Sequence, residues 1–557
     1  MLKGNTKKAS AIRIGCLLLL LLTKSSTLAT SYYVHQNHPS ASDSNPGTLH
    51  SPWASIQQAT ETATAGDTVY IRNGNYHESV YFTNDGNASR GHIVFTAYAN
   101  ETPIIDGTSV TDANNGIILN KNYIKLLSLE ICNWNENGIW IENAAEIEIS
   151  DCVVHSVEYG IGVAEGTHDF TFNRVTVHHF SLYGFDVSPV GGVDCYNGTF
   201  NDCVAHSGRD RDQNVDGFAL GHGTQHDFVF NRCVTYAVYD GFDISSGNSR
   251  LNRCLAYDCW NSCYKLWQDA IELVNCIGYQ AETAIVELDW DEHPGATTLR
   301  NCTFFNGQTY TLWIENSADT LRLYNCILAG SDNIGLAFEQ MGHPNYFGDF
   351  NLFQHDSPER LISVGYTDEF TPDAVSNGTW TAYSGQDVHS LVVQTATALF
   401  VNPVAPDLHL TAGSPAIDQA NRLWAPFEDY DGLPRPSGNG FDIGACEYQF
   451  SSAVMSNTTA ATVPTTPILY QNFPNPFNAV TSIIFQGSEP RQPIKLCIFN
   501  LQGQLIRTLV NQTPLTSPGQ VQWDTRNESG EFVASGTYLC VLSNGVTKIT
   551  RKLVLEK

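Results

Sequence analysis

From about residue 115 to 340 the apolar residues come in short runs, broken by Asn, Asp and Gly, with no helical spacing between them. Two segments recur with a unit of roughly 20 to 30 residues. The first reads ISDCVV (149–154), FNRVTV (172–177), FNDCVA (200–205), FNRCVT (230–235), LNRCLA (251–256), LVNCIG (273–278), LRNCTF (299–304) and LYNCIL (323–328). The second alternates with it: NGIWI (137–141), YGIGV (159–163), YGFDV (183–187), DGFAL (216–220), DGFDI (240–244) and CYKLW (263–267). Two short strands per repeat, with turn residues between, predict an all-β parallel β-helix. A single coil cannot bury its apolar face, so the coils must stack, with equivalent positions roughly 4.8 Å apart.

The repeat accounts for most of the cysteines. Cys152, Cys203, Cys233, Cys254, Cys276, Cys302 and Cys326 occupy one repeat position and are expected as an inward ladder of small apolar thiols. Disulfides along the ladder are the alternative state in an exported chain. Cys259 and Cys263 fall outside this pattern.

The flanks differ in character. Residues 1–30 read as a signal peptide: Lys3, Lys7, Lys8 and Arg13, then the apolar core Leu17–Leu22, then STLAT with cleavage near Ala29. The apolar run is too short to span a bilayer, and no other stretch is a candidate. Residues 31–450 are assigned to the β-helix, with an amphipathic cap helix in 51–65, coils over about 66–340 and a less regular tail over 345–450. The helix is expected to cover the open end of the stack, which otherwise exposes an unpaired edge. A Ser/Thr/Pro-rich linker, 451–467, leads to a separate C-terminal β-sandwich over 468–557.

Charge narrows the partners. The chain has 29 Lys+Arg against 57 Asp+Glu; loss of residues 1–30 removes five basic residues and no acids, leaving a net charge near −33. That argues against nucleic acid. A polyanionic substrate would need a cation as a bridge.

The second repeat carries the candidate chemistry. In DGFDI, Phe242 and Ile244 should face inward and Asp243 outward. Asp240 aligns with Asp216 one coil earlier, and Asp243 with Ala219 before it and Lys265 after it. Asp216, Asp240, Asp243 and Lys265 are therefore expected together on one exterior patch. Carboxylates about 5 Å apart repel by less than about 1 kcal/mol per pair in water, and by several-fold more beside a low-dielectric wall. Oxygen donors so placed suit a hard cation, Ca²⁺ above all. The loop GRDRDQN (208–214) adds Asp210 and Asp212 as extra acids, and Arg209 and Arg211 as groups able to hold an acidic sugar.

Several of these motifs resemble known families. SPWASIQQATETATAGDTVYIRNGNYHE (51–78) resembles the entry to pectate-lyase-like β-helices, which are right-handed, and DLHLTAGSPAID with FDIGACEY (407–447) resembles the tail of many exported β-helix proteins. NVDGFAL, YDGFDIS and NSCYKLW are similar to the run NADGFA, DDGWD and NGFKLG of polysaccharide lyase family nine. That resemblance implies cleavage of pectate or a related polyuronate by β-elimination, with Asp216, Asp240 and Asp243 binding Ca²⁺ and Lys265 as the base. It departs at Tyr239, where the family has the first acid of a DD pair, and at Cys263 and Trp267, which replace glycines beside the lysine. The C-terminal run YQNFPNPFNAVTSIIF (470–485), with IFNLQGQLIRTL, VQWDTRNESGEFVASGTYLCVL and TRKLVLEK, resembles the sorting domain of type-nine secretion and the related flagellar-hook-cap-like immunoglobulin module. It implies a small β-sandwich used for export or surface attachment and not for catalysis, in a secreted or surface protein that meets an export machinery; separately, the chain is expected to be a monomer.

Two other functions compete. GHG at 221–223 after NVDG is similar to polygalacturonase-type hydrolases, but the spacing is short and no adjacent Asp pair or Arg-x-Lys follows. A non-catalytic carbohydrate-binding or adhesin β-helix also fits the surface domain; Tyr239 favours it, and Trp140 and Trp313 at outward positions could stack sugars. Asp-Gly is in addition a common turn pair, so Asp216 and Asp240 could simply shape corners.

Overall fold

The computed structural model describes residues 29–449 apart from 222, 289–294, 316–319, 331–333, 340–344, 357–358, 366 and 406, and residues 468–555 apart from 470–471, 473–476, 478–480, 487–493, 512–518 and 545–546. The signal-peptide assignment falls almost wholly, the linker assignment and His222 wholly, outside the described residues. The chain divides between Gln449 and Phe450 into two compact units.

The first unit is a parallel β-solenoid of about 11 turns. Its walls are three ladders rather than the two strands per repeat expected from sequence. One is a 13-stranded parallel sheet from Ser31–Val34 to Tyr346–Asp349. The other two are joined because Val153–Ala164 and Thr176–Ser188 run through both. The first repeat signature in fact spans a corner: in FNDCVA, the strand Tyr196–Asn201 ends, and Val204–His206 begins on the next wall. The corner residue is left-handed at Asp151, Arg174, Asp202, Arg232, Arg253, Asn275, Asn301 and Asn325, which explains the Asn/Asp there. The preceding asparagines chain together: Asn201 donates to Asn173 at 2.9 Å, and Asn231 to Asn201 at 2.9 Å.

Inside, equivalent rings stack coil upon coil. Phe185, Phe218, Phe242 and Tyr264 follow one another at 4.7, 4.8 and 5.3 Å with planes within 8°. The seven ladder cysteines are buried free thiols, as the inward ladder expects. Cys259 and Cys263 are buried and free as well.

The ends close as physics requires. The cap helix is Ile56–Thr62; Ser55 caps it by accepting from Gln58, while the Glu78 carboxylate takes the N–H groups of Ile56 and Gln57. At the other end the coils continue past residue 340, through Ile362–Val364 and Leu391–Val393. Two short helices, Pro372–Ser376 and Thr379–Ser384, bury Trp380 among the last coils. Residues 396–449 then fold back along one wall. Leu399, Phe400, Ile443 and Ala445 cover Ile277, Phe305 and Ile327, and the buried Arg435 joins Glu447 at 3.0 Å.

In the second unit, Ile468–Leu469, Thr481–Gln486 and Gly519–Trp523 form one antiparallel sheet. Leu505–Asn511, Lys495–Asn500, Gly536–Ser543 and Lys548–Leu555 form another. Both sheets feed one core around Trp523, Phe485, Leu496 and Leu553, the expected sandwich.

Candidate active site

One wall of the solenoid carries the second signature. Its strands Asp216–Leu220, Phe242–Ile244, Ser262–Leu266 and Ala284–Leu288 pair in register, Ala219 with Asp243, Asp243 with Lys265 and Lys265 with Glu287. Phe242 and Ile244 are wholly buried in the core, so Asp243 between them faces out. At the start of the first two of these strands stands a glycine, Gly217 and Gly241, for a steric reason. A Cβ on Gly241 would lie 2.5 Å from the carbonyl oxygen of Cys263, and one on Gly217 2.1 Å from the Thr235 hydroxyl. Neither glycine has a positive φ, so Asp-Gly here marks close stacking of coils and not a turn that needs left-handed backbone.

The three aspartates converge: one oxygen of each of Asp216, Asp240 and Asp243 lies within 4.8 Å of the others. They are not exposed, as a surface patch would have them. Asp216 is 1% and Asp240 0% exposed. Asn214 donates to Asp216 Oδ2 at 3.0 Å, and the Asp240 backbone N–H to Asp216 Oδ1 at 3.1 Å. Asp240 Oδ1 accepts from Asn261 and from the Ser262 N–H, both at 2.8 Å. Asp240 Oδ2 and Asp243 Oδ1 are buried without a hydrogen-bond partner.

Electrostatics follow from this crowding. Burial, then repulsion from Asp240 and Asp243, pushes the Asp216 carboxyl well up. Burial raises Asp240 to about 6, against the pull of Lys265. Burial and the Asp240 charge raise Asp243 to about 8. Without a cation the cluster retains protons at neutral pH. The Lys265 amine lies 3.9 Å from Asp240 Oδ2, 3.8 Å from Glu287 Oε1, and 4.6 Å above the Trp267 ring.

Glu287 was not anticipated. It is 5% exposed, its Oε2 accepts from the Ser262 hydroxyl at 2.5 Å, and it completes a column Asp243–Lys265–Glu287. The signal was present: AIVEL (284–288) stands 22 residues after SCYKL (262–266), but without the glycine and aromatic that mark most of the other repeats. Asp186 shares the register of Asp243 through Ala219 and stands apart from the trio; the Ser188 hydroxyl donates to it at 2.6 Å.

The basic loop behaves differently from the acids. Arg209, Asp210, Arg211 and Asp212 are all exposed. Arg211 pairs with Glu282, with its guanidinium 5.6 Å from the Trp260 ring. Among the described residues neither arginine pairs with the three aspartates, and Asp210 and Asp212 stand outside their cluster. Trp140 and Trp313 face outward on the same wall, between the buried pairs Ile139/Ile141 and Leu312/Ile314.

Residues 32–333, more than half of the chain, match the family described as Pel9A-like, right handed beta helix region. The chain belongs to this Pel9A-like family. Pectate lyase PEL9 of Emericella nidulans is 27% identical over 224 residues, 39% of this chain and 50% of that protein. Pectate lyase L of Paenibacillus polymyxa is 30% identical over 201 residues, 34% of this chain and 40% of that protein. The chain thus spans half or less of the length of the curated relatives it matches. Among solved structures, pectate lyase Pel9A aligns over 76% of this chain and 97% of its own, at 15% identity and a TM-score of 0.47. The XylC–xylose complex aligns over 75% and 99%, at 10% identity and 0.50. At such identities the likeness concerns the fold alone. Residues 471–556 match a secretion-system C-terminal sorting domain, so this Pel9A-like protein is secreted or held at the cell surface. No described helix is long and apolar enough to cross a membrane.

Proposed function

We propose that this Pel9A-like protein is a polysaccharide lyase that cleaves a pectate-like polyuronate by cation-assisted β-elimination. The observation that carries the reading is the in-register column in which Lys265 follows Asp243 and stands against three converging carboxylates. The donor set fits a hard divalent cation such as Ca²⁺: three carboxylates, with two buried oxygens that make no hydrogen bond. Asp216, Asp240 and Asp243 would hold it. Bound there, the ion would neutralise a substrate carboxylate and stabilise the charge that develops beside it.

The chain's own groups do the rest. Lys265 as free amine takes the C5 proton of a uronate; the C5 electron pair forms the C4–C5 double bond as the C4–O4 bond breaks, and O4 departs with a proton from solvent. A free lysine holds its proton up to about pH 10.4, so the amine form calls for alkaline conditions or nearby positive charge. Asp240 and Glu287 favour the ammonium, and a cation gathered by the aspartates opposes them. Trp267 walls the lysine on one side and limits which sugar fits. Arg209 and Arg211, on their exposed loop, are proposed to hold the acidic chain; Arg211 must first release Glu282.

A binder without turnover is the competing reading, favoured by Tyr239 in place of an acid. The test is the full chain on polygalacturonate with and without EGTA, beside Lys265→Ala. The ultraviolet absorbance of an unsaturated uronate end, lost with EGTA and in the variant, supports the lyase. Reducing ends without that absorbance mean hydrolysis. Binding with neither product means a scaffold. Absorbance that survives in Lys265→Ala removes the lysine as base.

A further inference from the structure

A second wall of the solenoid presents a different outward column. Asp106, Cys132, His155, His178 and His206 follow one another in register, one per coil. At its head, Glu130 and Cys132 flank the inward Ile131, and His155 lies on the next coil. The ligand atoms of Glu130, Cys132 and His155 all lie within 4.8 Å of one another, and His155 Nε2 is 3.2 Å from Glu130 Oε1.

We propose that these three side chains form a transition-metal site of the kind that takes Zn²⁺, on a wall other than the one that bears the aspartates. The donor set of one sulfur, one imidazole and one carboxylate is borderline-soft and unlike the all-oxygen cluster. Ligand atoms around tetrahedral zinc sit about 3.3–3.8 Å apart, so the trio needs only a small contraction.

Two further observations separate this group from an ordinary surface cluster. The first concerns the sulfur. The ladder cysteines direct S–H to backbone carbonyls, as Cys152 does to Ser150 at 3.4 Å and Cys233 to Phe200 at 3.4 Å. At Cys132 the recorded bond is incoming, from the Asn133 side-chain N–H at 3.3 Å, the polarity that stabilises a metal-bound thiolate. Cys132 also stands outside the hydrophobic core that contains the ladder cysteines. The second concerns the imidazole. The His155 ring is stacked on His178 at 4.8 Å and 3°, and its Nδ1 meets the Ser156 hydroxyl at 3.2 Å, so Nε2 is held toward Glu130. Ring orientation fixed through the other nitrogen is the usual support of a histidine ligand.

The test is Co²⁺ titration of the chelator-treated full chain, followed by absorption. The expected result is a sulfur-to-cobalt charge-transfer band that saturates near one equivalent and is bleached by Zn²⁺. Cys132→Ser abolishes the band; His155→Gln and Glu130→Gln, checked for native circular dichroism, weaken binding at least tenfold. Asn133→Ala weakens it about 10- to 100-fold. The combined Asp216, Asp240 and Asp243→Asn variant keeps the band, which separates this site from the proposed lyase centre. Absence of the band in the unaltered protein, its survival in Cys132→Ser, or undiminished affinity in folded His155→Gln and Glu130→Gln overturns the proposal.

Discussion

Two outward columns of one solenoid obey the same register and do opposite things with it. On the second wall, His178, His206, Tyr236, Tyr257 and Tyr279 repeat a flat ring at each step, with centroids 4.7 to 5.3 Å apart and planes within 18°. On the site wall the residue type changes at every step: Ala219, Asp243, Lys265, Glu287, Trp313. Repetition of one ring lets each coil satisfy the next, and the gain is packing. Breaking the repetition places acids against each other and a lysine between acids, under cover, at a cost in electrostatic free energy. In a stack of equivalent coils, chemistry therefore sits where the repeat is locally broken.

The sharpest way to separate the columns is by substitution at matched depth. Lys265→Ala is expected to cut turnover by about 10²- to 10⁴-fold while leaving the thermal midpoint near that of the parent protein, because the lost group is a general base. Tyr257→Ala, on the other wall, should leave turnover unchanged and lower the midpoint. Steady-state rates beside thermal melts decide it. Equal loss of rate in both variants would erase the distinction. Inside the wall, Phe242→Ala removes a wholly buried ring between Phe218 and Tyr264 and should destabilise by about 3–5 kcal/mol, read by denaturant unfolding.

Much of this arrangement was legible because the repeat fixes register. The spacings 216 to 240 and 243 to 265 place those four residues on adjacent coils without any coordinates, and the single repeat position of seven cysteines announces the inner ladder. What was not legible depends on contacts outside the repeat. That Asp216 and Asp240 are buried and Asp243 half-buried follows from Asn214, Asn261 and Trp267 around them, and no periodicity encodes such cover. Glu287 escaped because its strand, Ala284–Leu288, lacks the glycine–aromatic step. The third wall was hidden inside a signature that looked like one strand and is a corner. The placement of 396–449 against Ile277 and Phe305 is long-range packing, invisible to local pattern.

Tyr239 is a smaller lever on the same contrast. Tyr239→Asp restores an acid beside Asp240 and should tighten Ca²⁺ binding about tenfold, since ligand charge count tunes affinity at such sites. Calorimetric titration gives the constant. Unchanged affinity would mean that position 239 does not reach the ion and that the binder reading owes nothing to it.

The smallest effect is a pair of pH slopes of opposite sign. On the site wall the folded-state carboxyls are raised, Asp240 to about 6 and Asp243 to about 8, so the folded chain binds more protons than the unfolded one from about pH 4 upward. Stability from this wall falls as pH rises through that window, in chelator, and Ca²⁺ should recover more of it at pH 8.5 than at 5.5, about those values being set by the same window. On the second wall burial and the neighbouring His155, His206 and His179 lower His178 to about 4, and burial lowers His206. There the unfolded chain binds more protons between about pH 6.5 and 4, so stability is lost as pH falls. Asp243→Asn should flatten the alkaline limb of the chelated protein's melting profile, between about pH 6.5 and 8, and should alter the acid limb as well, because its window opens near pH 4. His178→Phe, which keeps a flat ring in the stack, should flatten the acid limb and leave the alkaline one. If Asp243→Asn left the alkaline limb unchanged, or His178→Phe altered it, the two columns would not titrate independently, and the division of labour between the walls would fail at its weakest point.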